Sequence, residues 1–202
     1  MAETELPYHI QAVENLEADY SPENFRSAIA ECREVIAQIP DDQSSPQQLA
    51  RVHILRYLDL QLSRAMTWAD GEVDLLAIVL RSEIELRGWA EYVSESLEQA
   101  TRFLNEDVVM DVYELTAKMS KVFPEITPLS YGQGKRFEPQ RIGQTVEYDY
   151  KLCSKLIHPG ALMLNHPELT IRNEDHRPRL SVGVLLYAWM IVRRFHVIEW
   201  VP

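Results

Sequence analysis

The sequence predicts an all-α protein, a single-domain bundle of about six to seven helices. Three observations predict it. Apolar residues recur at helical spacing through most of the chain, and only seven glycines argue against a turn-rich β protein. Two Ser-Pro pairs, Ser21-Pro22 and Ser45-Pro46, stand where helices would start. Residues 73–93 carry two apolar stripes rather than one: Val73, Ala77, Leu80 and Ile84, and opposite them Leu75, Val79, Leu86, Trp89 and Val93. A helix apolar on two sides packs against neighbours on both, so this stretch is expected to be a central buried helix.

Taken in order, residues 1–20 are polar and acidic and read as a loosely docked N-terminal arm, with the bundle domain over 21–202. Behind Pro22, Phe25, Ala28, Ile29, Cys32, Val35, Ile36 and Ile39 mark a helix that Pro40 stops. Behind Pro46, Leu49, Val52, Leu55, Leu58, Leu62 and Met66 mark a second, ending near Trp68 before the Asp70-Gly71 turn. After Val93, a Ser94 or Ser96 cap restarts a helix through Leu97, Ala100, Phe103 and Leu104. A further helix is expected from about Glu106 to Val122. Residues 124–143 hold three prolines and three glycines, which forbids a regular helix and predicts a long loop. Its Lys135, Arg136 and Arg141, interleaved with Tyr131 and Phe137, make a weak nucleic-acid signal beside the plainer reading of a connection. A helix over about 144–158 ends at His158-Pro159, and the last runs from near Arg179 to near Trp200.

Composition excludes several classes. The net charge of −11 divides unevenly, −14 over residues 1–129 and +3 over 130–202. An acidic whole disfavours indiscriminate nucleic-acid binding but leaves room for a local basic surface in the last third. Two cysteines, Cys32 and Cys153, provide neither a disulfide framework nor a thiolate zinc site, and suit a reducing cytoplasm. The longest apolar run, 182–192, is too short for a bilayer, so no membrane association is expected. There is no phosphate-binding glycine loop, no H-E-x-x-H and no G-x-S-x-G. No cofactor and no metal site are expected.

Two helical stripes are the candidate site. Asp74, Arg81 and Glu85 fall within about 40° of one another on an ideal helix, between the apolar stripes of 73–93. The pattern fits an ion pair between Arg81 and Glu85, expected to be at least partly buried, or a polar site inside a bundle. On the later helix Tyr150, Ser154 and His158 repeat at i, i+4 and i+8, lining up a phenol, a hydroxyl and an imidazole. Arg81 and His158 are the candidate catalytic groups, and Arg81, Glu85, Tyr150, Ser154 and His158 the candidate ligand contacts for an anionic group such as a phosphate. Helix-dipole complementarity at His158 and ordinary hydrogen bonds at Tyr150 and Ser154 are the structural alternatives.

R-S-E-I-E-L-R-G-W-A-E-Y from Arg81, F-L-N-E-D-V-V-M-D-V-Y-E-L from Phe103 and Y-K-L-C-S-K-L-I-H-P from Tyr150 together resemble an uncharacterised bacterial family of helical proteins. The resemblance covers roughly residues 60–165, about half the chain. It implies a fold and site positions, the Arg–Glu pair and the Tyr–Ser–His–Pro stretch, but no reaction. More distantly the chain is similar to HEPN domains, helical bundles that act as ribonucleases or bind nucleotides and RNA in defence systems. The HEPN ribonuclease pattern, an Arg followed after four to six residues by His, is absent: Arg51 with His53, Arg172 with His176 and Arg193 with His196 all have other spacings. The resemblance implies a nucleotide or RNA ligand and a role in phage defence or nucleic-acid metabolism. The competing expectation is a non-enzymatic module, a homodimer or the partner of another protein, whose buried polar groups only fix helix register.

Overall fold

A computed structural model of the chain describes residues 8–110, 114, 146–157 and 174–196. Among these it is all-helical, with seven helices: α1 (Tyr8–Ala18), α2 (Pro22–Gln38), α3 (Pro46–Trp68), α4 (Val73–Glu95), α5 (Leu97–Leu104), α6 (Val146–Ile157) and α7 (Arg177–His196).

Helix starts follow local chemistry. Ser21 and Ser45 adopt extended backbone, each hydroxyl accepts from the amide three residues on (Asn24 at 3.0 Å, Gln48 at 3.2 Å), and proline fills the next position. Ser96, not Ser94, caps α5 by accepting from Gln99 N at 3.2 Å. Ile39 is extended because Pro40 follows it, and α2 ends there. At the α3–α4 turn, a side chain on Gly71 would bring its Cβ to 3.3 Å from the Trp68 carbonyl oxygen, so the tight reversal favours glycine.

Helix α4 packs against α3, α5, α6 and α7, and α7 also packs against α1, α2 and α3. The shared core takes Phe25, Ile29 and Cys32 from α2, Ile54, Leu58 and Leu62 from α3, Leu76, Leu80 and Ile84 from α4, and Leu180, Leu185 and Ile191 from α7. Each fully buried aliphatic side chain of this kind stabilises by about 1.5–3 kcal/mol relative to exposure.

Three expectations change. Residues 8–18, taken above as part of a loosely docked arm, form α1, and Val13 and Leu16 enter the core beside α2 and α7. The acidic neighbours Glu14 and Glu17 are exposed and hide that short apolar stripe in the sequence. The helix expected from Glu106 does not begin there. Residues 106–110 are non-helical, and Glu106 takes a left-handed backbone (φ 57°) as α5 closes with Asp107 N bonded to Arg102 O at 2.9 Å. The α7 helix begins at Arg177, two residues before the expected start, with Pro178 tolerated in its first turn. The long loop expected over 124–143, and the last residues of the final helix, lie outside the described residues. No helix among those described is long and apolar enough to cross a membrane.

Candidate functional site

On α4, partly or fully exposed residues recur along one edge: Asp74, Ile78, Arg81, Ser82, Glu85 and Trp89. The polar stripe read from the sequence is this outer edge rather than an interior one. Asp74 accepts from the Leu75 amide at the start of the helix. Arg81 Nε lies 3.5 Å from Glu85 Oε1, with 30% and 41% of the two side chains exposed, so the pair is real, long and partly solvated. The Arg81 guanidinium carbon also sits 4.8 Å from the centre of the Tyr150 ring, a cation–π contact that ties α4 to α6. Burial pushes the Tyr150 phenol above its ordinary range, Arg81 pulls it back, and Glu85 adds to the rise. Ser154, one turn on, is half-buried. Arg81, Glu85 and Tyr150 therefore meet in space. His158 lies outside the described residues.

A second, deeper polar group was not singled out in the sequence. Glu83, Arg87 and Glu91 follow one another at i, i+4 and i+8 on the core side of α4, exposed by 0, 0 and 1%. Arg87 pairs with Glu91, and Arg194 of α7 reaches the same carboxylate at 2.9 Å while keeping 26% of its side chain exposed. Burial lowers the Arg87 pKa, Glu91 raises it, and Arg194 lowers it again. Alongside, the Tyr187 hydroxyl donates to Asp149 Oδ2 at 3.2 Å, and Arg179 stands 3.9 Å from Asp149 Oδ1. Burial carries the Tyr187 pKa well above its ordinary value, with Asp149 adding to the rise.

Glu83 differs from these. Both of its carboxyl oxygens are enclosed and, among the described residues, it has no ion pair to offset the lack of a hydrogen bond, where Glu91 has two. Burial raises its pKa well above the usual carboxylate range. Its field is felt by Cys32 of α2 and Cys153 of α6, two enclosed thiols that burial itself pushes far above ordinary thiol values. The available signal was charge at helical spacing inside the apolar sector of α4, the sector of Leu76, Leu80 and Ile84.

Among the described residues, no group of three or more His, Cys, Asp or Glu side chains is placed to hold a metal ion. A groove of about 590 Å³ runs between α2 and α3, floored by Ile36, Ile39, Val52 and Leu55 and rimmed by the Arg33–Asp59 and Arg56–Asp41 ion pairs. Comparison of the chain with protein-family models, with curated proteins and with solved structures returns no match.

Proposed function

We propose that this chain is a non-enzymatic interaction module, a helical bundle whose internal charges hold helices in register and whose outer faces meet a partner. One observation carries the reading. The charges of α4 that looked functional in the sequence have partners within the chain: Arg81 has Glu85 and Tyr150. The polar stripe therefore has no need of a ligand to be satisfied. Tyr57 and Leu60, three residues apart on α3 and both exposed, give an outer face large apolar side chains of the type that anchor contacts. The test is light scattering over a concentration series, with Leu60→Asp as the disrupting variant. Self-association that Leu60→Asp abolishes supports the module in its homodimeric form. A chain that is monomeric throughout and binds a nucleotide through Arg81 sinks it.

A second reading keeps the HEPN-like relationship and a role in defence or nucleic-acid metabolism, with a nucleotide or RNA phosphate held by Arg81, Tyr150, Ser154 and His158. It draws support from the partly exposed Arg81 guanidinium beside the half-buried Tyr150 and Ser154. The net charge of −11 favours a small anion over a long polyanion. Titration with a nucleotide and a short RNA at low salt, comparing wild type with Arg81→Lys, separates the readings. Lysine keeps the charge but loses the planar fork that grips a phosphate. Binding that weakens in Arg81→Lys would reverse the order of the two readings.

A further inference from the structure

Glu83 of α4 is fully enclosed, and neither of its carboxyl oxygens has a hydrogen-bond partner. Burial is what keeps the proton on it. Helix α2 supplies part of that enclosure. Glu83 is the largest charge effect on the buried thiol of Cys32 in α2, ahead of Asp59. At Cys153 of α6 it stands behind Asp149 and Arg81. The carboxyl is thus covered from the α2 side more than from the α6 side. Helix α2 in turn packs on α3 and α7, which both pack on α4.

Helix α2 is seated with open space on both sides. The groove of about 590 Å³ runs between it and α3, and a second opening of about 430 Å³, lined by Ala12, Leu16, Asn24, Ala28 and Glu31, runs between it and α1. Polar ties from α2 to α3 include the Arg33–Asp59 ion pair, and Arg26 reaches Asp70 and the Met66 carbonyl at the far end of α3. Each side chain of these two ion pairs keeps about a third or more of its surface in water, which makes the pairs weak restraints. Asn24 of α2 donates to the Asp19 carbonyl at 2.9 Å, tying the end of α1 to the start of α2. Beyond α2 the chain is irregular from Ile39 to Ser45, so α1 and α2 can move together without unwinding α3.

We propose that the α1–α2 pair is a proton-gated cover, which lifts from α3 and α7 with release of the Glu83 proton and reseats when the carboxyl is protonated again. The chemistry is a single proton transfer. Lifting admits water to Glu83, the O–H bond breaks, its electron pair stays on the carboxylate, and the proton leaves to water or a buffer base. What the lifted cover uncovers is the apolar surface that Phe25, Ile29 and Ile36 now close over. The device therefore hides an apolar face at low pH and opens it as pH rises.

The groups on the surrounding helices do not hold the ionised form. On α2 and α6 the groups in the field of Glu83 are thiols, Cys32 and Cys153, and the carboxyls that act on those thiols are Asp59 of α3 and Asp149 of α6. All four are acids, so none of them assists ionisation of Glu83. The buried polar groups of α3 are Arg51, which donates to the Pro40 carbonyl, and Gln61, which does not titrate. On α7, Tyr187 donates to Asp149, Arg179 stands near the same carboxylate, and Arg194 is on Glu91. On α4 itself Arg87 is paired with Glu91 and Arg81 with Glu85. The described part of α5 adds no buried charged group.

The test is alkylation of Cys32 by iodoacetamide in the full folded chain, read site by site by mass spectrometry. Dividing the rate by that of the urea-unfolded chain at the same pH removes the thiol's own titration and leaves the opening constant. The cover is expected to open at least about tenfold more often than the whole chain unfolds, as sub-global openings do. Because opening releases one proton, its constant should rise about tenfold per pH unit from about pH 6 until the folded Glu83 titrates. In Glu83→Gln, which has no proton to release, that rise should disappear. A Cys32 opening constant equal to that of global unfolding at every pH overturns the proposal. So does a wild-type constant that is flat with pH, or one that rises equally in Glu83→Gln. If Glu83→Gln does not fold, Glu83→Leu takes its place, and the wild-type comparison with global unfolding remains decisive without either.

Discussion

Removing Glu91 should damage this protein far more than removing the arginine beside it. Arg87 and Glu91 are enclosed, and Arg194 approaches Glu91 from α7 with a quarter of its side chain in water. Replacing Glu91 with leucine leaves two guanidinium groups side by side, one of them with no access to solvent. Breaking a buried pair by removing its carboxylate costs about 3–5 kcal/mol. Replacing Arg87 with methionine, of similar length, removes one buried cation and leaves Glu91 paired with Arg194. Swapping a buried ion for a well-packed apolar side chain is often neutral or stabilising, so the expected change is within about 1 kcal/mol of wild type. In the double variant only Arg194 is left, and it can turn to water. Arg87→Met should therefore recover about 1–3 kcal/mol of the Glu91→Leu loss, the usual range for directly coupled residues. The same cycle is run in a Glu83→Gln background, where titration of Glu83 cannot contribute. Urea unfolding, followed by circular dichroism, measures all of these as midpoint shifts at constant slope. Equal losses for Glu91→Leu and Arg87→Met, or a Glu91→Leu loss below about 1 kcal/mol in both backgrounds, would refute the charge-balance argument.

Stability should fall as pH rises. The folded chain holds the Glu83 proton where the unfolded chain has released it, so this group's contribution is intact below the unfolded carboxylate pKa and is lost as pH rises through the folded one. Urea midpoints taken upward from the ordinary carboxylate range should show that decline in wild type, and a flatter profile in Glu83→Gln. Arg177→Ala should cost about 1.5–3 kcal/mol, because Arg177 is nearly enclosed and donates to the Ala69 carbonyl at 2.8 Å and to the Gly71 carbonyl, clamping the α3–α4 turn to the start of α7. Thermal unfolding checks it, and an unchanged melting temperature would count against the clamp. Arg81→Ala should cost under about 2 kcal/mol, the sum of a screened ion pair and one cation–π contact, measured by the same urea unfolding. A loss of about 3–5 kcal/mol there would mean that Arg81 is held as a buried charge after all.

The helices were legible where their signals were local. Ser21-Pro22 and Ser45-Pro46 start α2 and α3 as their chemistry requires, and Pro40 ends α2. The Arg81–Glu85 pair was legible as an i,i+4 pattern, and its meeting with Tyr150 joins two stripes that the sequence presented separately. Two things were not legible, for different reasons. Val13 and Leu16 are too few to show as an amphipathic stripe, and they are buried because α2 and α7 offer a surface, which is tertiary information. The inner polar stripe was visible as letters but not as a site.

That second failure has a physical cause. A helix packed on several sides has no obvious outside, and the sequence shows which residues share a stripe but not which stripe meets water. Two i,i+4 Arg–Glu pairs lie on α4, Arg81–Glu85 and Arg87–Glu91, alike in spacing and in order. Water decides between them. The first keeps roughly a third of each side chain wet and behaves as a surface pair, and the second is closed over by α7, whose own Arg194 completes it. What separates a weak surface interaction from a strong buried one is thus the position of a helix about a hundred residues further along the chain.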